Sequence, residues 1–157
     1  MSGKKLLLGW QEWCSLPNLK VQYIKAKVDT GAKTSSLHAF NIKETYKNKK
    51  KYVSFDIHPV QFNDDIIVSA KALVVDERYV MSSNGHKEKR YVIATLLTIG
   101  NISYTIELTL SNRDPLRFRM LLGRDALRPF CLIDPAKSSC LEKYSKSFVT
   151  KHYTQHK

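Results

Sequence analysis

What the chain has little of narrows the field before any motif is read. It carries three cysteines, Cys14, Cys131 and Cys140, an odd set with no Cys-x-x-Cys spacing, so neither a disulfide framework nor a cysteine zinc site is written into it. They read as reduced thiols, two of them buried. No apolar run approaches the length that spans a bilayer, and Leu6-Leu7-Leu8 is too short for a signal-peptide core, so neither a membrane span nor export is expected and the cytoplasm is the expected location. Nothing reads Gly-x-x-x-x-Gly-Lys-Ser/Thr, so the chain has no phosphate loop of its own. Nothing reads His-Glu-x-x-His either, and His38, His58, His86, His152 and His156 are scattered. No cofactor and no metal are expected. There is no internal repeat, and Asp-Thr-Gly occurs once.

What is present is an ordinary globular composition carrying an unusual charge. The 157 residues are 43% hydrophobic and 25% charged, enough for one domain with a single core. Net charge is +12, with Lys43, Lys47, Lys49, Lys50 and Lys51 close together and further lysines in the C-terminal stretch. A surface of this sign favours acidic peptides, nucleic acid or anionic membrane, and equally suits a solvated loop. Nucleic-acid binding rests on charge alone, with no groove-reading or base-stacking module behind it.

The strand signals are short alternations punctuated by Gly, Asn and Pro. Leu6 to Trp10, Tyr23 to Asp29 and Ser36 to Thr45 read as strands, the last leading into a lysine-rich turn at Asn48. Tyr52 to Pro59 puts Val53, Phe55 and Ile57 on one face. Ile66 to Tyr79 is an extended arm, and Ser82-Ser83-Asn84-Gly85 is a hairpin tip, because Asn-Gly readily takes positive φ. Arg90 to Thr98 and Ile102 to Leu110 form a second hairpin across Gly100-Asn101. Met120 to Leu122 is a buried strand, Gly123 to Leu127 one turn of helix, and Phe130 to Ile133 a last strand. From Pro135 the pattern dissolves into Lys and Ser, so residues 1–135 form the expected domain and 136–157 a mobile or partner-dependent basic tail. Many short strands at this spacing argue for an all-β closed barrel or sandwich.

The stretch Val28-Asp29-Thr30-Gly31-Ala32 sets a carboxylate, a hydroxyl and a glycine where a strand leaves the core. Asp-Thr-Gly alone is an ordinary turn. Followed later by Met120-Leu121-Leu122-Gly123-Arg124-Asp125, it resembles the retropepsin-like aspartic proteases. The likeness extends to a bacterial group called ATP-dependent zinc proteases, often encoded beside ATP-grasp peptide ligases. It is carried by Gly9-Trp10-Gln11-Glu12-Trp13, Lys27 to Ala39, Arg90 to Ile93, Ile106 to Leu110, Asn112-Arg113 and Leu121 to Leu127.

This resemblance implies a closed acid-protease barrel with one short helix after the Leu-Leu-Gly-Arg strand. It implies a catalytic Asp29, with Thr30 bracing paired loops and Gly31 admitting close backbone approach. One Asp-Thr-Gly supplies half of the carboxylate pair, so it further implies a homodimer with one Asp29 from each subunit. Ala32, a flap tip at Ser82, Ser83, Asn84 and Gly85, and Arg124 are the implied substrate contacts. The sequence departs from retropepsins at Lys33 to Ser36, where an acidic residue usually follows Asp-Thr-Gly-Ala. Arg124 is therefore expected either to pair with Asp125, Glu107 or Asp29, or to hold a substrate carboxylate, which with Lys33 and Arg113 points to an acidic peptide. A zinc site is imaginable only at His38 with Glu107 or Cys14, and ATP dependence only through a ligase partner. The leading expectation is an aspartic peptidase. The alternative is a non-catalytic retropepsin-fold module that reads peptide or a partner protein.

Overall fold

The computed structural model describes residues 4–81, 85–112 and 117–155. Its strands are β1 (Leu6–Leu8), β2 (Gln11–Leu16), β3 (Val21–Val28), β4 (Ser35–His38), β5 (Phe40–Lys47) and β6 (Lys50–Ile57). They continue with β7 (Val68–Met81), β8 (Lys87–Ile99), β9 (Ile102–Ser111), β10 (Met120–Leu122) and β11 (Cys131–Ile133). Two helices follow β10 and β11, α1 (Arg124–Leu127) and α2 (Lys146–Gln155).

Alternation along the strands selects the inner face. In β3, Ile24, Ala26 and Val28 point in, and in β8 Ile93, Leu97 and Ile99 do the same. These faces close on themselves in the order β2-β3-β10-β4-β9-β8, and β2 meets β8 again at Ser15 and Thr98, giving a mixed six-stranded barrel. Closure leaves no open edge around the core. The expected all-β acid-protease barrel with one short helix after Leu122 is the observed fold.

Beyond β8 the sheet continues through β7, β6 and β5 as an arm. Val53, Phe55 and Ile57 are buried, as their alternation demands. Asn48 and Lys49 both take positive φ at the tip of the β5–β6 hairpin, the geometry that matches strand twist in a two-residue turn. Lys43 and Lys47 lie on the edge strand β5, where charge discourages pairing with another chain. Gly100, with φ of +59°, turns β8 into β9.

Three elements differ from expectation. Residues 36–45 are two strands, broken at buried Ala39 and followed by a register shift beside Asn41, which has φ of +52°. The stretch Gln11–Leu16 is a barrel strand whose inward positions are Glu12, Cys14 and Leu16, so a carboxylate at a core position disguises it.

The tail is the third, and the expectation of a mobile arm after Pro135 is corrected. Residues 137–141 lie against Gly9 to Glu12, with Trp10 N–H donating to Lys137 O at 3.0 Å and Gln11 N–H to Ser138 O at 3.0 Å. Gly9 allows this approach: a Cβ there would sit 2.6 Å from Lys137 O. Glu12, 1% exposed, accepts from Gly9 N–H, Cys140 N–H and the Ser139 hydroxyl, all at 2.7 Å, and from Leu141 N–H at 3.2 Å. The Ser145 hydroxyl then caps α2 by accepting from Phe148 N–H. Val149 and Tyr153 bury one stripe of that helix against Val60 and Ile66, and the Tyr153 hydroxyl donates to Tyr23 O at 2.6 Å.

Candidate active site

Asp29 follows directly on β3, where that strand runs parallel to β10. Its N–H donates to Leu122 O at 2.9 Å, so the end of β10 fixes where the chain leaves the barrel. Ala32 N–H returns to Asp29 O at 3.2 Å, and Gly31 N–H donates to Asp29 Oδ1 at 3.1 Å, which orients the carboxylate. A Cβ on Gly31 would stand 3.3 Å from that oxygen and crowd it. Asp29 is half-buried, while Thr30 and Gly31 are exposed.

The second motif holds this loop from behind. Arg124 N–H donates to Ala32 O at 2.7 Å, Asp125 N–H to Lys33 O at 3.0 Å, and Gly123 N–H to the Ser35 hydroxyl at 2.9 Å. The backbones lie so close that a Cβ on Gly123 would meet Thr34 C at 2.6 Å. The two sequence motifs are therefore two halves of one backbone-stitched loop.

Arg124 takes none of the acidic partners expected for it. Its Nη1 donates to Thr30 O at 3.0 Å, bracing the catalytic-loop candidate through a carbonyl. Asp125 instead lies 3.9 Å from Lys33 and 3.8 Å from Arg128, exposed pairs that contribute little. Among the described residues, no hydrogen bond or ion pair joins Asp29 to another carboxylate.

The hairpin β7–β8 touches this loop through Arg78. Its tip residues Ser82, Ser83 and Asn84 lie outside the described residues, and Gly85 has φ of +85° with open space around it. Arg78 sits opposite Arg90 in the ladder, and Arg78 Nη1 donates to the Thr34 hydroxyl at 3.2 Å. That bond ties the hairpin base to the Asp29 loop. On the other face, Lys51 and Lys89 meet Glu44 and Glu77 at 2.6 to 3.7 Å, and Tyr91 OH donates to Glu44. The Tyr91 and Lys89 hydrogen bonds hold the Glu44 carboxyl down at about 2.

The donor set does not fit zinc. Among the described residues, no group of three or more His, Cys, Asp or Glu side chains could hold a metal ion. His38 stacks on Phe40 and His58, Glu107 lies by Arg78, and Cys14 Sγ lies against Ile24 O, so the one imagined constellation is not assembled. No helix among the described residues is long and apolar enough to cross a membrane.

Sequence reasoning missed Glu12 as the anchor of the tail and Arg78 opposite Arg90. A lone Glu amid β-formers is a weak signal for the first, and the second exists only once the hairpin register is known.

A closed six-stranded barrel with an Asp-Thr-Gly loop clasped by Gly-Arg-Asp defines a retropepsin-like protein. Residues 7–143 match the RimB-like family, described as retropepsin-like aspartic endopeptidase RimB, and the chain belongs to that family. It is similar to a probable alpha-L-glutamate ligase of Shewanella pealeana, 48% identical over 141 residues that make up 90% of this chain and 31% of that protein. It is likewise similar to a probable alpha-L-glutamate ligase of Desulfotalea psychrophila, 44% identical over 96% of this chain and 32% of that protein. The chain thus spans about a third of the length of these curated relatives. Among solved structures, a Legionella pneumophila protein of unknown function superposes with a TM-score of 0.68 at 31% identity, covering 84% of this chain and 94% of that one.

Proposed function

We propose that this chain is one subunit of a homodimeric aspartic-type peptidase that hydrolyses acidic, glutamate-rich peptides. The observation that carries the reading is the Asp29 loop itself. Its carboxylate is oriented by Gly31 N–H, its backbone is clasped by Leu122, Arg124 and Asp125, and its Thr30-Gly31 tip is left open. A loop held this rigidly with an accessible tip suits a carboxylate that must meet a twin across a two-fold axis.

In such a pair two close carboxylates share one proton, because like charges at short range cannot both ionise. The ionised Asp29 takes a proton from water as the water oxygen attacks the peptide carbonyl. The protonated Asp29 of the second subunit polarises that carbonyl, and the tetrahedral intermediate collapses as the amine leaves with a proton. Thr30 and Gly31 support the meeting loops, and Arg124 braces Thr30. Ala32 and the hairpin tip at Ser82 to Gly85 border the peptide, which pairs with the hairpin as an added strand.

The acidic substrate is supported by the net charge of +12 and by the names of the curated relatives, in which the matched third belongs to a probable alpha-L-glutamate ligase. The natural partner is accordingly a glutamate ligase whose products this chain trims. A second reading, a non-catalytic peptide-binding module, is favoured by the lack of any second carboxylate at Asp29 within the described chain. Cleavage of glutamate-rich and neutral peptides near pH 5 and pH 7 by the wild type and Asp29→Asn decides between them. Chelator-resistant cleavage lost in Asp29→Asn supports the peptidase. Binding without cleavage supports the module, and cleavage retained in Asp29→Asn overturns the site.

A further inference from the structure

Resting on the acidic-peptide reading above, we propose that Arg78 and Arg90 form a carboxylate-reading subsite at the base of the β7–β8 hairpin. The two arginines are directly opposite in the antiparallel ladder, so their side chains share a face. Like charges in that position oppose pairing and need a reason to be there. Their face is the one turned to the Asp29 loop, since Arg78 Nη1 donates to the Thr34 hydroxyl.

Not all of their donors are taken. Arg78 Nε donates to Asp76 at 3.0 Å and Nη1 to Thr34 at 3.2 Å, while its Nη2 stands 3.7 Å from Glu107. Arg90 Nη2 stands 3.4 Å from Glu88, and Arg90 Nε is buried with no hydrogen-bond partner. Charge-assisted bonds that are fully made are shorter than the Glu107 and Glu88 contacts. A buried donor left without an acceptor is rare in folded proteins. The acids Asp76, Glu88 and Glu107 have exposed side chains, and Glu88 and Glu107 hold the guanidinium groups loosely. A carboxylate carried in by a peptide strand along the hairpin would meet two forks side by side, the arrangement suited to planar bidentate recognition.

The test uses the Asp29→Asn chain, with fluorescein-labelled hexaglutamate and hexaglutamine read by anisotropy. Hexaglutamate is expected to bind more tightly. Arg78→Gln and Arg90→Gln should each weaken it roughly 10- to 100-fold, leave hexaglutamine unchanged, and Arg78→Lys should restore little. Replacing Lys47 and Lys49 together by Gln removes two charges from the β5–β6 hairpin, outside the arginine pair, and should leave the preference intact. Unfolding curves accompany each variant, and half-exposed Arg78 carries the test if Arg90→Gln does not fold. Equal binding of both peptides, or a glutamate preference surviving the arginine changes, overturns the proposal. Arginine-dependent binding in a chain whose wild type cleaves nothing leaves the subsite standing and overturns the peptidase. Arginine-independent cleavage does the reverse.

Discussion

Replacing Glu12 by Gln changes one atom and tests whether the C-terminal segment is part of the folded barrel. Glu12 Oε2 accepts from Gly9 N–H and Cys140 N–H, and Oε1 from the Ser139 hydroxyl and Leu141 N–H. A glutamine amide must point its NH₂ at one of these pairs. Towards Gly9 and Cys140 it would face two backbone donors that cannot turn away. Towards Ser139 and Leu141 it does better, because the hydroxyl rotates to accept and only Leu141 N–H is orphaned. One buried orphan donor costs about 1–3 kcal/mol, and the bonds that lose their charge add to it, for a total of about 2–4 kcal/mol. For a chain of this size that lowers Tm by roughly 5–15 °C. Thermal unfolding measures the loss, and limited proteolysis locates it: cleavage should begin in the released segment after Pro135. A Gln variant melting within about 1 °C of wild type, with an equally resistant tail, would refute the reasoning.

Three further outcomes are expected. Gly123→Ala drives a Cβ into the Thr34 backbone, and should cost about 1–3 kcal/mol in denaturant unfolding while abolishing the activity proposed for Asp29. Glu44 titrates near 2 when folded, below the ordinary 4.5, so its stabilisation is complete above pH 4.5 and is lost as pH falls towards 2. Tm measured against pH should show that acid loss in wild type and a shallower one in Glu44→Gln. Burial first, and the Glu12 charge second, push the Cys14 thiol up to about 12, so alkylation at pH 8 followed by mass spectrometry should label half-buried Cys140 and spare Cys14 until the chain unfolds.

The barrel was legible where alternation is clean. Val53, Phe55 and Ile57, or Ile93, Leu97 and Ile99, announce their inner face because these inward positions are apolar, with Thr95 the one polar residue among them. β2 was not, since Glu12 occupies a core position and is satisfied by residues more than 120 positions away. α2 escaped for a related reason: one buried stripe, Val149 and Tyr153, is too little apolar pattern among lysines to signal a helix that docks. At the site, Asp29 and Gly123-Arg124 were found as separate motifs, and folding made them one loop. Arg124 was expected to choose among acids and bonded a carbonyl instead, an acceptor that every residue carries and no sequence pattern marks. Arg78 and Arg90 meet only because a register shift between Val74 and Asp76 sets the ladder beyond it.

The central claim is a dyad shared between two subunits, and subunit mixing tests it most directly. Wild-type and Asp29→Asn chains are mixed at fixed total concentration, allowed to exchange, and assayed on a glutamate-rich peptide. If each active site needs Asp29 from both subunits, activity follows the square of the wild-type fraction, and an equal mixture retains about a quarter of full activity. Linear dilution, with about half retained at an equal mixture, would mean that each chain works alone and would contradict the shared dyad.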